Sequence, residues 1–168
     1  MTVAPDDAAA IAAQLGRTPR GMVAVAWRCP SGTPGVVTTA PRLPDGTPFP
    51  TMYYLTCPSL TSACSTLEAR GVMAEMSARL TADPELAAAY LRAHDAYLAD
   101  RAELGDVPEI DGVSAGGMPG RVKCLHALVA HALAAGEGVN PLGDEAVALL
   151  RESRLSACLP HEEERTDG

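Results

Sequence analysis

The sequence predicts an α+β fold: a small antiparallel three-stranded sheet over about residues 22–57, packed by five or six helices in a single domain spanning 1–159. Three observations carry this. Apolar residues over about 22–57 alternate with a period of two between Gly- and Pro-rich turns. After position 58 they recur at spacings of three and four, the signature of helices with one buried stripe. The composition is 47% hydrophobic with only six aromatic residues and abundant alanine, which favours close-packed helices. A chain of 168 residues is long enough to bury a core without staples.

Taken in order, Asp6 or Asp7 is expected to cap a first helix running to Leu15, with Gly16 as its stop. Val23, Val25, Trp27 and Cys29 alternate with Ala24, Ala26 and Arg28, giving a half-buried strand ended by Pro30. A turn over 31–35 leads to a second strand, Val36 to Thr39. A proline-rich loop, 41–50, contains an Asp45-Gly46 turn and precedes a third strand, Thr51 to Cys57, stopped by Pro58. In an up-down-up meander Cys29 and Cys57 finish at the same end of the sheet. If the two strands flank the second they lie roughly 9 to 10 Å apart, which suits a larger cluster or denies a common site; directly paired, they lie about 5 Å apart, which suits zinc.

Ser59 is placed as the cap of the next helix, with Leu60, Cys64 and Leu67 on its apolar stripe and Gly71 as a break before Val72 to Leu80. Cys64 belongs to the core on this pattern. Asp83 caps the longest helix, with Pro84 at its first position and Leu86, Tyr90, Tyr97 and Leu104 inward; His94 is a packing or surface residue. Residues 105–115 show no periodicity. Asn140-Pro141 turns the chain, and Asp144 is expected to cap a last helix that buries Val147 and Leu150. The acidic, apolar-poor end places Cys158 and His161 on a frayed tail, with 160–168 disordered.

The chain is organised around Gly116 to Leu133, where a glycine-rich loop runs into a helix carrying Cys124, His126 and His131. Pro119 suits a first helical position, so the helix is expected to begin near it. Val122, Leu125, Val129, Ala132 and Leu133 form one stripe, Cys124, Leu128 and His131 a second. On a continuous helix Cys124 and His131 are two turns, about 10 Å, apart, and His126 is turned about 200° from Cys124. A later start would let Cys124 and His126 converge from an irregular first turn.

A formal charge of −8 and a pI near 4.9 argue against a general nucleic-acid binder or a carrier for anionic membranes, which need a positive field. The first residues lack the pattern of a signal peptide, and no stretch approaches the ~18 apolar residues of a membrane span. A soluble cytoplasmic protein is expected. Five cysteines are an odd number and make a disulfide framework improbable, which turns the question to thiol or metal chemistry.

The segments RCPSGTPGVV, PRLPDGTPFPTMYYLTCP, GGMPGRVKCLHALVAH and VNPLGDEA, in that order and spacing, resemble the bacterial family of unknown function DUF501 over about residues 12–151. The resemblance implies no established activity. It implies family positions at Cys29, Cys57, Cys124, His126 and His131, and no requirement for cysteine at 64 or 158. Genes of the family lie beside those for a septum-formation initiator and an exopolyphosphatase.

Four functional readings follow. The first is a metal site using Cys29, Cys57 and Cys124 with His126 or His131 as fourth ligand, zinc being preferred and an iron–sulfur cluster the alternative. Paired CxxC or HxxxH spacing is missing, and scattered cysteines are commonly core. The second is a small-anion or phosphate site formed by Gly116, Gly117, Arg121 and Lys123, which Arg42 could join. Third is an enzyme, either a metal-dependent hydrolase or a thiol catalyst using Cys124; this ranks lower because His131 is too distant and His126 faces away. Fourth is a protein partner in cell division or polyphosphate metabolism.

Overall fold

The computed structural model describes residues 3–161. It shows an α+β arrangement of six α-helices and a three-stranded antiparallel sheet in the order β1-β2-β3: β1 is Met22–Arg28, β2 Pro34–Thr39 and β3 Tyr53–Leu55. The helices are α1 (Pro5–Leu15), α2 (Pro58–Ala69), α3 (Val72–Ala82), α4 (Pro84–Ala102), α5 (Leu125–Ala135) and α6 (Pro141–Glu152). Among the described residues no helix is long and apolar enough to cross a membrane. The tail expected over 160–168 lies outside the described residues from 162 onward.

The sheet forms where alternation placed it, but the third strand is shorter than the expected 51–57, while the second begins earlier, at Pro34. β3 pairs with β2 through Val36↔Leu55, Val37↔Tyr54 and Thr38↔Tyr53, and then the chain leaves the sheet, so that Cys57 becomes the N-cap of α2 and Pro58 its first residue. Ser59 therefore does not cap that helix. Its hydroxyl instead meets the Ser156 hydroxyl at 2.7 Å. A proline-first start likewise moves two other caps. Ala4, with Pro5 behind it, precedes α1, and Asp7 is left to hold Arg28 through two bonds of 2.8 and 2.7 Å. Asn140, before Pro141, caps α6 by accepting from the Gly143 N–H, while Asp144 accepts from the Gly138 N–H. Asp83 caps α4 as its sequence requires, accepting from the Glu85 and Leu86 N–H groups.

α5 is the central helix. Leu125, Leu128, Val129, Ala130, His131 and Ala132 are all buried, and the helix contacts all three strands as well as α2 and α6. It begins at Leu125, not near Pro119. The backbone groups that would have built an earlier turn are committed elsewhere: the Lys123 N–H bonds Gly116 O, the Arg121 N–H bonds Gly117 O, the Val122 N–H bonds Ser77 Oγ, and Arg121 O accepts from the Tyr90 hydroxyl. Gly117 is required in this loop, because its φ is +92° and a Cβ there would sit 2.8 Å from Arg121 O.

α4 ties the sheet to the aperiodic loop. Its inward face carries Tyr90, Ala93, His94, Tyr97 and Arg101. The Tyr97 hydroxyl accepts the Met52 N–H at 2.6 Å, and Tyr53 donates to Asp100 at 2.9 Å. Arg101, buried, donates to the carbonyls of Pro50, Ile110 and Val113 and so fixes a segment in which side-chain periodicity has no part. His94, buried, shares a 2.7 Å bond with Ser114.

Candidate functional site

The described residues hold two groups of candidate ligands. In the first, the sulfurs of Cys29, Cys57 and Cys158 all lie within 4.8 Å of one another. In the second, one ligand atom each of Glu68, Cys124 and His126 satisfies the same limit.

The first group answers the question posed by the strand order. β1 and β3 do flank β2, the arrangement expected to keep their cysteines too far apart for a small ion. The side chains nevertheless meet, because both cysteines stand beyond their strands and the residue between them is Gly35. A Cβ at Gly35 would lie 2.6 Å from the Trp27 ring and 3.5 Å from Cys29 Sγ, so the missing side chain leaves room for the Trp27 ring, and the sulfur packs against Gly35 at ordinary contact distance. Gly35 O also accepts from the Thr56 and Cys57 N–H groups, at 2.9 and 3.4 Å, which anchors the other cysteine on the same residue.

The third sulfur comes from the end of the chain. Residues 155–161 do not fray at Cys158: Leu159 is 1% exposed, the Cys158 N–H donates to Ser156 Oγ at 3.2 Å, and Ser156 is held by Ser59 at the start of α2. His161 is half-buried. Cys57 Sγ and Cys158 Sγ are 3.1 Å apart. The signal in the sequence was slight, namely the apolar Leu155 and Leu159 bracketing Ser156 and Cys158 in an otherwise polar end. Burial first, then contact with Cys158 and Cys57, pushes the Cys29 thiol well above its usual range, and burial also raises Cys158. A groove of about 430 Å³ lined by Trp27, Arg28, Arg151 and Cys158 reaches this group from solvent.

Cys124 does not join the sheet cysteines. As N-cap of α5 it has extended backbone, φ −153° and ψ 115°, and this non-helical geometry removes the angular separation that a continuous helix would impose between it and His126. His126 Nδ1 lies 2.6 Å from Glu68 Oε1, and its Nε2 lies 3.1 Å from Thr61 O. Both of these partners are acceptors, and Ser65 Oγ also lies 3.5 Å from Nε2. The Cys124 side chain, opposed by burial and helped by Glu68, raises the His126 pKa. Burial disfavours the Cys124 thiolate, but the His126 ring and the Ala127 N–H outweigh it and the thiol lies below its usual value. Beside the pair is a cavity of about 420 Å³ lined by Tyr53, Tyr54, Leu55, Gly116, Cys124 and His126, among others.

The remaining expected ligands are placed apart. His131 is 0% exposed, stacked on Tyr53 at 5.9 Å and edge-on to Tyr97 at 5.1 Å, and its Nδ1 accepts from the Asn140 amide at 3.1 Å. Burial lowers its pKa to about 4, which keeps it neutral. Cys64 is buried, as its stripe requires, and burial pushes its thiol up to about 12. In the expected anion set, Gly116 and Gly117 shape a loop whose carbonyls accept from Lys123 and Arg121, and no helix starts there. Arg121 and Lys123 are exposed. Arg42 is committed to Glu109 by bonds of 2.9 and 2.8 Å.

No curated protein and no solved structure matches the chain. A family model described as "Protein of unknown function (DUF501)" matches residues 25–148.

Proposed function

Because the chain belongs to the DUF501 family, whose description names no activity, we propose a function from its own residues: it binds one metal ion, zinc preferred, through Cys29, Cys57 and Cys158. The observation that carries the proposal is the convergence of three sulfurs within 4.8 Å from three distant parts of the chain. A tetrahedral zinc with Zn–S bonds of about 2.3 Å has sulfur–sulfur edges of about 3.8 Å, so only small side-chain shifts separate this group from a ligand set. Three soft thiolates select zinc or iron–sulfur chemistry over the hard cations that oxygen ligands hold. The groove beside Cys158 leaves access for a fourth ligand from solvent, which is what a metal-dependent hydrolase would need.

A competing reading rests on the 3.1 Å approach of Cys57 and Cys158, which also suits oxidation of the two thiols to a disulfide. Elemental analysis of protein purified without added metal separates the two. We expect about one equivalent of zinc, proton release on reloading, and loss of metal in Cys29→Ser. Metal-free protein with an intact Cys57–Cys158 disulfide by mass spectrometry would replace the metal reading by a redox one.

A further inference from the structure

The Cys124 group and its cavity are separate from the thiol cluster, and the chemistry they suit is different. A histidine ligates a metal through an unprotonated nitrogen, whereas both ring nitrogens of His126 are turned to acceptors, Glu68 at 2.6 Å and Thr61 O at 3.1 Å. What remains is a thiol beside a histidine ring whose orientation a carboxylate fixes, the arrangement of a nucleophilic cysteine, its proton carrier and a third group. The sulfur sits at the positive end of α5, an 11-residue helix whose first N–H groups have no helical acceptor. These groups favour a thiolate and could also bind an oxyanion that forms next to it. The cavity supplies space for a ligand, and apart from His126 the side chains named on its wall are uncharged.

We propose that Cys124 is a nucleophilic thiol that accepts an acyl group from a small uncharged ester or thioester bound against Tyr53, Tyr54 and Leu55, with His126 as proton carrier and Glu68 as the positioning residue for its ring. In the step, the Cys124 thiol passes its proton to the His126 ring and the sulfur attacks the carbonyl carbon, forming an S–C bond. The bond from that carbon to the leaving oxygen or sulfur breaks, and the leaving group takes a ring proton from His126. Water then attacks the thioester while His126 takes up its proton, the C–S bond breaks so that a carboxylic acid departs, and His126 returns the proton to the sulfur, restoring the thiol.

The test uses the full chain with two probes, iodoacetamide and p-nitrophenyl acetate. At pH 7 iodoacetamide should label Cys124 at least about tenfold faster than the buried Cys29 and Cys64, as mass spectrometry of the digest reads directly. p-Nitrophenyl acetate should leave an acetyl group on Cys124, and Cys124→Ser should abolish the turnover. His126→Gln should slow turnover on the order of 100-fold, the scale of one general acid–base group. Glu68→Gln should lower the midpoint of the His126 imidazole signal in an NMR titration, a shift that a purely packing role would not produce. Labelling of Cys124 no faster than of Cys64, or turnover that survives Cys124→Ser, overturns the proposal. So does zinc bound in the unmodified protein and lost from Cys124→Ser, since that would make the group a metal site.

Discussion

Cys57 Sγ lies 3.1 Å from Cys158 Sγ, across 101 residues of chain, and the pair closes the segment around Cys158 onto the N-cap of α2. Because Cys29 completes the group, any ion held there joins β1, α2 and the C-terminal segment at one point. Its binding energy is then also folding energy.

Cys158→Ser should therefore release the metal and lower the melting temperature by several degrees, since about 1 kcal/mol moves a domain of this size by roughly 2 to 4 °C. Cys124→Ser and Cys64→Ala should keep the metal, because neither sulfur belongs to the group. Melting curves with and without a strong chelator check this. Metal retained by Cys158→Ser, or lost from Cys124→Ser, would show that the ligands are a different set.

Gly143→Ala should destabilise by about 1 to 3 kcal/mol despite alanine's better helix propensity, which favours it by about 1 kcal/mol. A Cβ at Gly143 would lie 2.5 Å from Leu128 O and 2.9 Å from Ala132 Cβ, so α6 must move away from α5. Urea denaturation measures the difference, and a neutral or stabilising result would mean that α6 can shift at little cost.

Asn140→Ala should be worse than Asp144→Ala. Asn140, 0% exposed, accepts from the Gly143 N–H and donates to His131, so its loss strips a cap and leaves buried groups unpaired, at about 2 to 4 kcal/mol. Asp144 makes its bond to Gly138 at the surface, where replacement costs less than about 1 kcal/mol. Equal midpoints in urea for the two variants would contradict this ranking.

Stability should fall as pH drops from about 6.5 to about 4 through His131, whose pKa in the fold is about 4. The sign follows from proton binding: in that window the unfolded chain protonates this histidine and the folded chain does not, so acid favours unfolding. The full effect is on the order of 3 kcal/mol and levels off below the folded pKa. The portion between pH 5 and 6.5 is diagnostic, since ordinary carboxylates titrate lower. Melting curves across that range, with His131→Gln as comparison, should show the slope reduced in the variant.

The sequence by itself determined the fold class, the strand positions, the cap at Asp83, the core placement of Cys64 and the central standing of the segment around α5. Each of these follows from local periodicity or from a residue type whose backbone preference acts within a turn. Cap positions were legible only in part, because proline's fixed φ sets the first helical residue and overrides the polar residues that follow it at Ser59 and Asp144. Only the tertiary structure decided which thiols meet. Cys29 and Cys57 converge on Gly35 of the middle strand, whose carbonyl holds the Cys57 N–H and beside which Cys29 Sγ packs, and Cys158 joins them because Leu159 has a place in the core. Cys124 and His126 converge because Ser77 and Tyr90, more than 30 residues earlier, hold the backbone groups that would otherwise have begun the helix before them. Periodicity reports a residue's relation to its own helix or strand; the distance between two sulfurs depends on what fills the space between the elements that carry them.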